Sequence, residues 1–180
     1  MLTISQQLRL FHVKRWGMVM VSREQSVAEH SYNVALIARD IINRLPDSVF
    51  NGIPRSQYMV EATEYALHHD MLEVLTGDTP TPYKRILKDR LGETALDKVG
   101  MHLDLDLHNF FKKYEGTLSA RVVGVADLME AAKYISMFGV GDHAFQVKCG
   151  LVVRMLEESA KFDEPIRYVM DQTWKDIQRV

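Results

Sequence analysis

The stretch from Ser26 to Pro46 constrains the fold most. Val27, Val34, Ile37, Ala38, Ile41 and Leu45 recur at helical spacing and make one apolar stripe. Ser26 and Glu29 stand in the S-x-x-E order of a capping box, which opens this helix, and Pro46 ends it. A stripe of this kind must be covered by other helices. His30 lies on the same stripe and therefore faces inward.

The helical period continues along nearly the whole chain. "NGIP" at 51–54 is a turn, and Arg55 to Met71 reads as the next helix. Met59, Ala62, Ala66, His69 and Glu73 share one face of it. "TGDTPTP" at 76–82 breaks the pattern; a short helix follows, then another over about 92–113. A long helix begins at Gly116–Thr117 and runs through "LSARVVGVADLMEAAKYISMF". It buries Val122, Val123, Ala126, Met129 and Ile135, and carries Asp127 among them. "GVGD" is a turn with Asp142 as an N-cap. The last helices cover about 143–162 and about 165 to the end, with Pro165 at the first position of the second. These signals predict an all-α helical bundle forming one domain over 1–180, without repeats or linkers.

Composition narrows the function. A chain of 180 residues with 47% apolar residues is large enough for a real core. A formal net charge of -2 offers no global field for a nucleic-acid polymer. No apolar run is long enough to cross a bilayer, and the N-terminus lacks the pattern of a signal peptide. Cys149 is the sole cysteine, so no intramolecular disulfide forms, and the chain fits a reducing cytoplasm. Cys149 itself reads as a small buried hydrophobe.

Chemistry concentrates on polar residues placed on apolar faces. His30, His69, Asp70 and Asp127 come from three separate helices. A buried carboxylate needs a cation, and no Lys or Arg stands beside Asp127 on its own face. One divalent metal would satisfy all four residues, and two imidazoles with two carboxylates suit zinc, manganese, cobalt or iron better than calcium. "HLDLDLH" at 102–108 is read as a helix end, not a second metal site. His68 points about 100° away from His69 around the helix and is read as structural. "GVGD" is no phosphate loop, since it follows no strand and lacks the Lys-Ser/Thr tail.

The order H…HD…D, as His30, His69–Asp70 and Asp127, resembles the HD-domain phosphohydrolases. The pieces "RW" at 15–16, "SVAEHSYNVALIA", "HHDMLEVLTGDTPTPYK" and "VADLMEAAKYI", in this order, resemble one subgroup. It holds the YfbR-type 5'-deoxynucleotidases and the phage DatZ-type dATP triphosphohydrolases. The resemblance implies an HD helical bundle and a metal held by His30, His69, Asp70 and Asp127. That metal would be Zn, Co or Mn, with Mg accompanying a triphosphate. It implies Glu73 as proton relay and Asp78 as a second proton-transfer group. Arg15 and Lys84 would bind phosphate, and Trp16 would pack on sugar or base. Met18 would crowd the 2-amino group of a purine that carries one. The implied reaction is attack of metal-held water at the α-phosphorus of dATP, releasing deoxyadenosine and triphosphate, at a site that could process dADP and dAMP as well. A 5'-deoxynucleotidase of broad base specificity is the runner-up, and a non-catalytic nucleotide-binding HD protein the weaker alternative. The resemblance also implies a homo-oligomer, dimer or hexamer, in the cytoplasm, of the host if the gene is a phage's.

Overall fold

In a computed structural model the described residues are 2–179. They form ten α-helices: α1 Ile4–Gln7, α2 Val27–Arg44, α3 Arg55–His68, α4 Glu73–Thr76, α5 Thr81–Leu91, α6 Glu93–Leu103, α7 Leu105–Tyr114, α8 Leu118–Phe138, α9 Gly141–Ser159 and α10 Glu164–Gln178. Among the described residues no strand forms, only the isolated bridges Lys14–Ser26 and Val21–Gly139. The protein has an all-α fold.

The core is built by the predicted stripe. Val34, Ala38, Ile41 and Leu45 of α2 pack with Ala62 and Ala66 of α3 and with Val122, Ala126 and Met129 of α8. Alanines at the α3 contact let the helices approach closely, while the branched residues fill the space between them. Met170 and Trp174 of α10 close the far side. Ser26 caps α2 by accepting from the Glu29 N–H, and Thr117 caps α8 by accepting from Ala120 N–H. Among the described residues no helix is long and apolar enough to cross a membrane.

Four local expectations change. The helix from Arg55 does not reach Met71: α3 ends at His68, and 69–72 tighten into turns with Met71 N–H donating to His68 O (2.8 Å) and Glu73 N–H to Asp70 O (3.0 Å). The helix over 92–113 is two helices. Asp104 is extended (φ -157°) and caps α7 by accepting from Leu107 N–H, a side-chain bond that competes with helix continuation. Asp142 is not an N-cap; α9 starts at Gly141, whose φ of +81° suits glycine, and Asp142 sits in the first turn. Pro165 takes the second position of α10, after Glu164.

Cys149 is exposed, against the buried reading. Ala144, Val147, Leu151 and Met155 carry the inward face of α9, and Cys149 lies outside that stripe.

Candidate active site

Two imidazoles anchor the site, one fully buried and one partly buried. His30, on α2, is fully buried. Its Nδ1 lies 2.5 Å from Glu130 Oε2, and its Nε2 lies 3.0 Å from Asp127 Oδ1 and 3.7 Å from Asp70 Oδ2. His69, in the tight turn after α3, donates from Nδ1 to Ala66 O (2.6 Å) and places Nε2 3.3 Å from Asp70 Oδ2. Both Nε2 atoms are buried without a hydrogen-bond partner. Ligand atoms of His30, His69 and Asp70 lie within 4.8 Å of one another, and Asp127 borders the group through His30.

This donor set fits a divalent transition metal. Each imidazole is oriented by a hydrogen bond at Nδ1, which leaves the Nε2 lone pair free and aimed at the same space. Without a cation, His30 takes a proton instead. Burial and the Arg15 charge push its pKa down, but the Asp127 and Glu130 carboxylates more than offset them and raise it to about 9. Burial would raise Asp127, yet His30 holds its carboxyl well below the usual range.

The site opens into a cavity of about 400 Å³, a size suited to a small-molecule ligand. Arg15, Trp16, Met18, Asp70, Glu73, Asp78, Lys84 and Asp127 all line it. Glu73 is 5% exposed and its Oε1 lies 3.0 Å from Lys84 Nζ. Burial, then the Asp70 charge, raise its pKa to about 7 against the opposing Lys84. Lys84 is thus engaged with Glu73. Arg15 Nη1 is 3.8 Å from Asp70 Oδ2 and makes no hydrogen bond. Met18 is exposed at the cavity wall. His68 turns away: its Nδ1 N–H donates to Glu64 O (2.8 Å), and its ring packs on Phe110.

Trp16 is held in a strained backbone, with φ of +69°. A bulky residue rarely adopts that region. Asp78 Oδ2 accepts from its backbone N–H (3.1 Å), its ring stacks on Tyr134 at 5.9 Å, and its Nε1 donates to Gln25 Oε1 (2.9 Å). Gln25 is fully buried and donates in turn to Glu130 Oε1 (2.6 Å), which also accepts from Asn33 (3.2 Å). A continuous chain therefore links Trp16 through Gln25 and Glu130 to His30. The sequence reading missed Gln25, Asn33 and Glu130. A usable signal existed for Glu130, an acid one turn after Asp127 in the same apolar helix. Gln25 carries none, because its partners are distant in sequence.

An all-helical bundle with an H…HD…D cluster whose aspartates line a mixed polar and apolar cavity defines an HD-domain phosphohydrolase. The family described as 5'-deoxynucleotidase YfbR-like matches residues 4–176, and the chain belongs to that family. A dATP triphosphohydrolase of Cyanophage S-2L is 31% identical over 154 residues, covering 83% of this chain and 79% of the relative. One of Salmonella phage PMBT28 is 30% identical over 178 residues, covering 96% and 86%. The 5'-deoxynucleotidase YfbR of Salmonella arizonae is 36% identical over 100 residues, covering 55% and 48%. The solved Cyanophage S-2L HD phosphohydrolase (DatZ), bound to dA and one catalytic Zn2+ ion, superposes with a TM-score of 0.82 at 25% identity, covering 100% of this chain and 99% of its own.

Proposed function

We propose that the protein is a metal-dependent dATP triphosphohydrolase that releases deoxyadenosine and triphosphate. The carrying observation is the pair of orphaned imidazole nitrogens beside Asp70 and Asp127, at the floor of a cavity that also holds Trp16 and Glu73. Likeness to two phage dATP triphosphohydrolases across most of the chain supports dATP over a monophosphate. His30, His69, Asp70 and Asp127 would hold the metal, which would be zinc as in the structural relative, with cobalt or manganese as substitutes. A divalent cation there supplies charge stabilisation for the phosphoryl oxygens and lowers the pKa of water.

The chain's own groups do the rest. Hydrolysis forms a bond from water oxygen to the α-phosphorus and breaks the bond from that phosphorus to the 5'-oxygen. The water loses a proton and the 5'-oxygen gains one. Glu73, with a pKa of about 7, exchanges protons readily in either direction near neutral pH. Asp78 keeps one carboxylate oxygen on Trp16 N–H, so its first role is to fix the Trp16 turn; its other oxygen is the second proton-transfer group. Arg15 lies beside Asp70 with an unsatisfied Nη1 for a phosphate oxygen. Trp16 backs the nucleoside, and Met18 crowds a purine 2-amino group.

The test is product analysis after incubating zinc-loaded protein with dATP, dGTP and dAMP separately. Deoxyadenosine and intact triphosphate from dATP, with dGTP surviving, are expected. Turnover of monophosphates alone, whatever the base, would replace this reading with a 5'-deoxynucleotidase.

A further inference from the structure

The cavity has a wall that the H…HD…D cluster does not explain. It is one face of α9, bearing His143, Val147, Leu151 and Arg154. Only Gly139 and Val140 separate α8 from α9, so the two helices run antiparallel. Ala144 packs with Tyr134 and Ile135 near that turn, and Met155 packs in the core with Met129 further along. Position along α9 therefore maps onto position along α8.

This register sorts the cavity into two ends. Trp16 stacks on Tyr134, and Val19 packs in the same cluster, so the turn end is the nucleoside end. Asp127 lies further down α8, about two turns from Tyr134. Arg154 is roughly 16 Å along α9 from His143 and adjoins Met155, whose core partner Met129 is two residues from Asp127. It stands at the metal end of the cavity.

The cavity's cations differ in how they are engaged. Lys84 is bonded to Glu73, and Arg15 lies against Asp70. Arg154 makes no hydrogen bond or ion pair among the described residues. An unpaired guanidinium at the metal end is placed for charge that a monophosphate does not carry and a triphosphate does. A planar fork binds phosphate oxygens in pairs.

We infer that Arg154 is a specificity-determining residue: it binds the β- and γ-phosphates and sets the preference for triphosphate over monophosphate. The inference rests on the deoxynucleotide phosphohydrolase reading above. The α9 wall also explains why an exposed arginine is presented on the same face as apolar Val147 and Leu151, which would flank the substrate.

The experiment uses zinc-loaded full-length protein and the Arg154→Met and Arg154→Lys variants. Steady-state kcat/KM is measured on dATP and dAMP, and inhibition by inorganic tripolyphosphate and by deoxyadenosine is measured alongside. Arg154→Met should lower kcat/KM on dATP by roughly tenfold to a hundredfold, the worth of one or two charge-assisted bonds, with a loss on dAMP at least tenfold smaller. The Ki of tripolyphosphate should rise in parallel, far more than that of deoxyadenosine, and Arg154→Lys should recover part of both. Equal losses on both nucleotides, or an unmoved tripolyphosphate Ki, overturn the inference while leaving the proposed function standing. A wild-type protein that cleaves neither nucleotide overturns both.

Discussion

Glu130 shows how one carboxylate organises the metal site without facing the substrate cavity. It is buried, accepts from Gln25 and Asn33, and meets His30 Nδ1 at 2.5 Å. Glu130→Ala should weaken zinc binding by about 10–100-fold, the usual cost of losing such a partner. Chelator competition should be run at pH 9, because His30 carries a proton up to about that pH and proton competition would otherwise mask the loss. An unchanged affinity there would remove Glu130 from the site. Glu73 gives a second expectation. Burial and Asp70 raise its pKa to about 7 while Lys84 opposes them. Removing that positive charge favours the neutral acid, so Lys84→Met should move the limb of the pH–rate profile near 7 to higher pH. A limb that stays put, or moves down, would show that Glu73 is not the titrating group. The sequence made His30, His69, Asp70 and Asp127 legible because polar residues on apolar faces stand out. Glu130 bears the same mark on α8, whereas Gln25 lies in a polar loop and becomes visible only through Trp16 and Glu130.

Element boundaries carry as much of the site as the helices do. The Arg55–Met71 period was readable, but its break after His68 was not, since i+3 tightening keeps side chains at nearly helical spacing. That break puts Glu73 at the head of its own short helix and buries it. Asp104 was hidden in the same way by the alternation of Leu and Asp around it. The α8–α9 turn is also stapled to the Trp16 loop: Val140 N–H donates to Met20 O (2.9 Å) and Ser22 N–H to Phe138 O (2.8 Å). Gly139 permits the close turn from α8 into α9 that presents these groups to the loop. A Cβ there would lie 2.6 Å from Ile135 O and 2.9 Å from Ala144 Cβ. Gly139→Ala should therefore destabilise the fold by about 1–3 kcal/mol in urea unfolding, the range for overpacking. It should also lower activity by displacing the Trp16 loop from the α9 wall. Full stability in Gly139→Ala would mean that the turn has slack that this packing denies.

At the scale of the molecule, the helical pattern made the all-α class readable, yet which helix walls the cavity was not, because α9 meets the site only through tertiary packing. The same long-range character gives the metal a structural task. The side chains proposed to hold it come from α2, from the turn between α3 and α4, and from α8, elements far apart in the chain. The unfolded chain cannot gather them, so binding energy becomes folding energy. The metal-free protein compensates in part by protonating His30 beside Asp127. That contribution has a definite sign: the folded pKa of about 9 exceeds the ordinary 6.5, so its stability is present below pH 6.5 and lost as pH rises through 9. Metal should therefore matter most at high pH, where the proton has left. Zinc at about 100 times its Kd should add about 2.7 kcal/mol, or roughly 5–11 °C in Tm for a chain of this size. Asp70→Asn should lose most of that gain while keeping a folded metal-free state. Hydrogen exchange should place the added protection on α2, the α3–α4 turn and α8 together. Protection confined to one of them, or an equal Tm rise in Asp70→Asn, would mean that zinc binds elsewhere on the molecule.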